Sequence, residues 1–114
     1  MNLKEIIAIV EGTVLAGKDK VDREVPYCGA SDLMSDVLTY MKPGGLLLTG
    51  QTNPQCVRTA EMAEISAVVF VRGKHPDPEG VVMAEKLGLP LILSPFGMYQ
   101  VCGRLDRAGL PAVM

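Results

Sequence analysis

Apolar residues recur at Leu3, Ile6, Ile7 and Val10 and stop at Gly12. That spacing predicts a short amphipathic helix of about two to three turns. Thr13-Val14-Leu15-Ala16-Gly17 follows and reads as a short strand. The polar stretch from Lys18 to Glu24 reads as an exposed connection. It leads into Val25-Pro26-Tyr27-Cys28-Gly29-Ala30, a second extended segment in which Pro26 indicates an edge position or a bend.

Ser31 is the expected N-cap of the next helix, with Leu33, Met34, Val37, Leu38 and Met41 as its apolar stripe. Asp32 then sits where the helix dipole favours negative charge, and Pro43-Gly44 ends the element. Gly45-Leu46-Leu47-Leu48-Thr49-Gly50 is a buried strand. Asn53-Pro54 is a cap followed by proline at the first helical position, where a missing N–H costs nothing. The helix that follows turns Val57, Ala60, Ala63 and Met62 inward.

Ala67-Val68-Val69-Phe70-Val71 is continuously apolar and β-branched, the pattern of a strand covered on both faces. Asp77-Pro78 repeats the cap-and-proline start. The resulting helix ends at Gly88, with Leu89 and Pro90 after it, as a left-handed glycine C-cap requires. Leu89 to Ser94 forms a strand, and from about Pro95 a last helix presents Met98, Val101, Cys102, Leu105 and Ala108 before Gly109. The tail Gly109-Leu110-Pro111-Ala112 mirrors Gly88-Leu89-Pro90-Leu91. It predicts one more short strand, paired at a sheet edge or against a second subunit.

Strands alternating with helices from about residue 45 onward demand a mostly parallel sheet joined by right-handed crossovers. The fold expected is a three-layer α/β/α sandwich with about five strands, the first two being candidates for a mixed edge. At 114 residues the chain has the size of one ordinary domain, taken as residues 1–114. Its 48% hydrophobic and 21% charged residues are globular in proportion, and its apolar runs are too short to span a bilayer.

A formal charge of −2 and a pI near 5.3 supply no basic face for nucleic acid. With 4% aromatic residues and no tryptophan there are few platforms for stacking successive bases. The opening residues place charges inside an apolar pattern and show no small-residue cleavage site, so a cytoplasmic protein without a secretory signal is expected. Cys28, Cys56 and Cys102 are odd in number and far apart, which argues against a disulfide framework or a zinc site; buried free thiols are expected.

In an open parallel sheet, ligands bind beyond the carboxyl ends of the strands, where helix N-termini gather. Four turns fall on that rim: Cys28 to Asp32, Thr49 to Asn53, Arg72 to Asp77, and Ser94 to Gly97. Ser31, Asp32, Thr49, Gln51, Thr52, Asn53, Arg72 and Lys74 are the candidate ligand contacts. For the second turn two readings stand side by side. Gly50 and Asn53 are explained by turn and cap chemistry alone, whereas Thr49, Gln51 and Thr52 also suit a ligand. Arg72 and Lys74 flank Gly73 as a seat for phosphate or carboxylate, and a solvated turn is the plain alternative.

His75 stands alone before a proline and reads as a surface residue. Asp32 and Asp36, spaced one helical turn apart, read as a dipole partner and a solvated charge rather than a metal pair. Met34, Met41, Met62, Met83 and Met98 read as pliable core filler. Cys56 lies just inside a helix N-terminus, which lowers a thiol pKa, but burial is the stronger expectation. Neither a Gly-x-x-x-x-Gly-Lys-Ser/Thr loop nor a Gly-x-Gly-x-x-Gly fingerprint is present, and no nucleophile elbow appears. No catalytic constellation and no cofactor are expected.

Three segments carry a resemblance. They are Ala30-Ser31-Asp32-Leu33-Met34-Ser35-Asp36-Val37-Leu38, the strand-turn-helix from Leu46 to Ala60, and Val69-Phe70-Val71-Arg72-Gly73-Lys74-His75-Pro76-Asp77. In these, and over nearly its whole length, the chain resembles the DRTGG domain family. The five letters of the name are not spelled out, and Asp22-Arg23 is similar only to the first two. The positions that match are Ser31, Asp32, Ser35 and Asp36, then Thr49, Thr52, Asn53 and Pro54, then Arg72 and Gly73.

Such domains are similar to the N-terminal domain of HPr kinase/phosphorylase and stand beside CBS domains in some pyrophosphatases. The resemblance implies an α/β/α sandwich, self-association as a homodimer, and a sensing or interaction role without kinase chemistry, in a stand-alone version. The function expected is regulation through a small anionic ligand, such as a nucleotide, at the rim. The alternative is a module that docks a partner enzyme through an apolar surface. A third reading is a small transferase or hydrolase using His75 or Asp32.

Overall fold

A computed structural model describes residues Met1–Met114. The elements run α1 (Leu3–Ile9), β1 (Thr13–Ala16), a 3-10 turn (Lys18–Lys20), β2 (Cys28–Ala30), α2 (Met34–Tyr40), β3 (Leu46–Thr49), α3 (Pro54–Met62), β4 (Ala67–Phe70), α4 (Pro78–Leu87), β5 (Leu91–Leu93) and α5 (Met98–Arg107). The five strands form one sheet in the order β1-β5-β4-β3-β2. β2, β3, β4 and β5 are mutually parallel, and β1 alone is antiparallel, paired on β5. The mixed edge therefore comes from β1 only, while β2 is a parallel strand at the other side of the sheet.

The layers follow from the strand order. From β2 to β5 each strand is added on the same side of the last, so crossovers of one hand must place all three connecting helices on one face. Val37 of α2 and Met41 just after it, Cys56, Val57 and Ala60 of α3, and Ala84 of α4 accordingly pack with Leu47, Val68, Phe70 and Leu91. The intervening strand residues Leu46, Leu48, Val69 and Ile92 point the other way, onto Leu3 and Ile6 of α1, Val10 just after it, and Val101 and Leu105 of α5. The period-2 pleat sends alternate residues into two cores, so β3 and β4 are buried at every position.

Several sequence expectations shift at helix boundaries. α2 begins at Met34, with Leu33 rather than Ser31 in the N-cap position. Leu33 and Leu38 are exposed, because α2 is the outermost helix of its layer and buries a narrow stripe around Val37 and Met41. Met62 lies exposed at the end of α3, and Ala108 is exposed where α5 stops. Of the five methionines read as filler only Met41 is buried, whereas Met34, Met83 and Met98 are half-buried at the margins.

The tail does pair at an edge. Ala112 forms a parallel bridge to Cys28, outside β2, with the Cys28 N–H donating to the Pro111 carbonyl at 2.9 Å and the Val113 N–H to the Cys28 carbonyl at 2.9 Å. α4 ends as predicted, with Gly88 left-handed at φ 67° before Leu89 and Pro90. No helix is long and apolar enough to cross a membrane.

Candidate functional site

Because β2 to β5 are parallel, their carboxyl ends share one rim, and α2, α3, α4 and α5 all begin there. None of these four helices has a side chain hydrogen-bonded to its first-turn N–H groups. Asn53 and Asp77 occupy the N-cap positions that their sequences predict, yet neither carboxamide nor carboxylate turns back onto its helix. The positive ends of four helix dipoles therefore face the rim without side-chain caps.

The first two sequence motifs are tied together there. Asp32 lies in the turn before α2, and its Oδ1 accepts the Gly50 N–H at 2.7 Å and the Thr49 hydroxyl at 3.1 Å. The Thr49 hydroxyl accepts the Gln51 N–H at 3.0 Å. Gln51 Nε2 donates to the Asp32 carbonyl at 3.4 Å, and Asn53 Nδ2 donates to Gln51 Oε1 at 3.2 Å. Thr49 is fully buried, so it braces Asp32 and the turn rather than facing a ligand. Ser31 closes its own small turn, accepting the Leu33 N–H at 3.0 Å, which is why it does not cap α2. Asp32 precedes α2, whereas Asp36 lies in its first turn.

Arg72 joins this cluster from β4. Arg72 and Gly73 are both left-handed, at φ 62°, and the Lys74 N–H donates back to the Val71 carbonyl at 3.3 Å, giving a tight reversal directly after the strand. The reversal is fixed from the neighbouring loop, where Phe96 accepts the Arg72 N–H at 2.7 Å and Ser94 the Gly73 N–H at 2.8 Å. An arginine is costly in this conformation, and holding it there directs its guanidinium across Gly50. A Cβ added to Gly50 would lie 2.8 Å from an Arg72 guanidinium nitrogen. Gly50 thus serves close approach as well as the turn.

The four ion pairs of the chain use neither Arg72 nor Lys74, so both of these exposed cations are unpaired. Thr52 touches the next motif through its backbone, its carbonyl accepting the Asp77 N–H at 2.9 Å. Ser94 is buried and donates to the Val10 carbonyl at 2.7 Å, which makes it a structural tie to α1. Arg104 likewise holds α5 to the rest, stacked 4.0 Å from the Phe96 ring centre and donating to the Ile9 carbonyl.

The rim is an open shelf. Three cavities indent the surface, of about 250, 650 and 320 Å³, and none is lined by Asp32, Gln51, Thr52, Asn53 or Arg72. His75 and Asp77 line the largest, together with Leu15, Pro78, Val81 and Val82. No group of three or more histidine, cysteine or acidic side chains assembles to hold a metal ion.

Cys56 is buried, and burial first, then the negative charge of Asp32, pushes its thiol up to about 12. Desolvation outweighs the helix N-terminus, so this is no activated nucleophile. Cys28 and Cys102 are only half-buried, contrary to the expectation of fully buried thiols, because they line the cavity between β2, α5 and the tail. Burial, reinforced by Cys102 and Asp106, raises Cys28 to about 11.

The folded chain holds the Cys28 and Cys56 protons above the ordinary cysteine value of 9.0, so the unfolded chain loses these protons first. Stability is full below pH 9 and is expected to fall as the pH rises towards 12, chiefly through the buried Cys56. Alkylation at pH 8 should modify Cys102 and Cys28 slowly and Cys56 only after denaturation, as read by mass spectrometry.

The family model of the DRTGG domain matches residues 5–108. Among solved structures, the chain is similar to the CBS and DRTGG domains of the regulatory region of Clostridium perfringens pyrophosphatase, a complex with the activator diadenosine tetraphosphate. The TM-score is 0.75 at 12% identity, over 96% of this chain and 47% of that one. At that identity the likeness concerns the fold, and the chain spans about half the length of that structure. A search of the curated proteins finds no match.

Proposed function

The chain belongs to the DRTGG domain family, and from that membership we propose that it is a non-catalytic regulatory domain, binding a small anionic ligand such as a nucleotide at its rim. One observation carries the reading: a left-handed backbone holds the unpaired Arg72 guanidinium over Gly50, within a polar cluster flanked by helices without side-chain caps. A guanidinium donates two parallel hydrogen bonds to a phosphate or carboxylate, and helix N-termini add favourable potential for the same charge. Asp32, already fixed by Thr49 and Gly50, keeps acceptor capacity for a ligand hydroxyl. The regulatory region of the pyrophosphatase, complexed with a dinucleotide activator, supports a nucleotide as the class to try first.

The chain acts in this account as one unit over residues 1–114, in the cytoplasm, and as a homodimer. A second reading, docking of a partner enzyme, draws on the exposed Leu33 before α2 and Leu38 and Tyr40 on it. The two are separated by a thermal-shift screen against phosphate, mono-, di- and triphosphate nucleotides and dinucleoside polyphosphates. A ligand at a hundred times its dissociation constant adds about 2.7 kcal/mol, which raises the melting temperature by several degrees in a domain of this size. The expected result is such a shift in the native chain and its loss in Arg72→Ala. A flat response across the panel would reject the anion site and favour docking.

A further inference from the structure

The two faces of the sheet are covered unequally. α2, α3 and α4 pack on one face, and only α1 and α5 on the other. On that second face the outermost strand, β2, has no helix of its own. The pleat sends Cys28 and Ala30 of β2 to this side, where Cys28 packs against the core of α1 and α5, while Gly29 between them faces Met41. Cys28 and Ala30 are short, and so is Ala112 of the tail that pairs beside them. They leave a cavity of about 320 Å³ between β2, α5 and the tail.

Seven of its eight lining residues are apolar, Leu48, Leu110 and Met114 among them, so its walls suit hydrocarbon. The volume falls at the small end of the range of ligand sites, roughly 300–1,000 Å³. Asp106 is the eighth residue and the only charged one. It stands one helical turn beyond Cys102 on α5, so the two side chains share a face of that helix. Its negative charge contributes to raising the Cys28 thiol on β2, as a carboxylate facing the same cavity should.

That carboxylate has no cation of its own. Asp106 takes part in none of the four ion pairs. Arg104 in the same turn is committed to the Ile9 carbonyl and the Phe96 ring, and Arg107 does not line the cavity. Asp106 also lies in the last turn of α5, where the helix dipole favours positive charge. An apolar chamber with one unpaired carboxylate at a helix C-terminus is complementary to a small cation with a hydrocarbon body.

We propose that this cavity binds a small apolar amine, its ammonium paired with Asp106 and its alkyl or aryl part seated between Cys28, Leu48 and Cys102. The site is independent of the anion-binding reading, since none of its lining residues belongs to the rim cluster. Charge sets its selectivity: a carboxylic acid of the same shape is repelled by Asp106, and a neutral alcohol gains only the apolar contact.

The test compares phenethylamine, phenylacetate and benzyl alcohol, which carry the same ring on a cation, an anion and a neutral group. Binding is read at Cys28 and Cys102, which line the cavity, as the rate at which methyl methanethiosulfonate modifies each thiol of the full chain, followed by mass spectrometry. That reagent attacks thiols and not amines. At roughly 10 mM, phenethylamine should slow both thiols about fivefold or more, benzyl alcohol about twofold, and phenylacetate not at all. In Asp106→Asn, phenethylamine should protect no better than benzyl alcohol, and Ala30→Leu, which fills the cavity, should abolish protection. Both positions are exposed, so native-like melting temperatures confirm that the variants fold. Equal protection by phenylacetate and phenethylamine, or undiminished protection by phenethylamine in Asp106→Asn, would overturn the pairing with a cation. Absence of protection in the native protein would overturn the site.

Discussion

Arg72→Gly is expected to move affinity and stability in opposite directions. Removing the guanidinium should weaken a phosphate-bearing ligand about 10- to 100-fold, since a hydrogen bond to a charged group contributes about 1.5–3 kcal/mol. The unliganded protein should meanwhile become more stable. Arg72 sits at φ 62°, where an L side chain costs roughly 1–2 kcal/mol, while glycine adds only about 0.5–1 kcal/mol of unfolded-chain entropy. The net gain is up to about 1.5 kcal/mol, visible as a rise of a few degrees in melting temperature. A residue retained for packing would show a loss in both measurements. A drop in the stability of Arg72→Gly would contradict the claim that the turn is strained in order to aim the side chain.

Gly17→Ala should be the most damaging single-methyl change. Gly17 leaves β1 in a left-handed conformation, φ 69°, and a Cβ there would fall 2.6 Å from the Pro90 nitrogen and 2.7 Å from its Cα. These are backbone atoms at the entry to β5 and cannot swing aside. Adding the conformational penalty to the displacement of β5 from β1 gives about 2–4 kcal/mol, a large part of the roughly 5–15 kcal/mol that such a domain has in total. The melting temperature should fall by about 10–20 °C. Gly50→Ala provides the contrast, because its new methyl meets only the mobile end of Arg72. Equal losses in the two variants would contradict the difference between backbone and side-chain obstruction.

How far the sequence could be read depends on the range of the interaction. β3, β4, α3 and α4 were legible because a continuous apolar strand, a cap-and-proline start and a glycine C-cap are all local signals. The gathering of motifs on one rim was also legible, since parallel strands leave no other place for their carboxyl ends. Ser31 misled because a serine before an apolar stripe can either cap the helix or close a turn on Leu33, and the choice is made by Asp32 reaching across to Thr49 and Gly50. Leu38 and Met62 were placed inward by periodicity alone, but Leu38 lies on α2, at the margin of its layer, and Met62 is the last residue of α3.

The Arg72 and Gly50 contact had no sequence signal. Twenty-two positions separate the two residues, and both conform locally to ordinary turn chemistry. Only the adjacency of β3 and β4, with Thr49 paired to Phe70, brings their following loops together.

The central claim is that the guanidinium poised over Gly50 binds the ligand. Its most direct test is calorimetric titration of ATP into the native chain and Gly50→Ala, a variant that keeps every charged and polar group of the rim. The account predicts native-like stability for Gly50→Ala with ATP affinity reduced at least tenfold, because the added methyl displaces Arg72. Unaltered affinity in a protein whose Arg72 has been moved would contradict it.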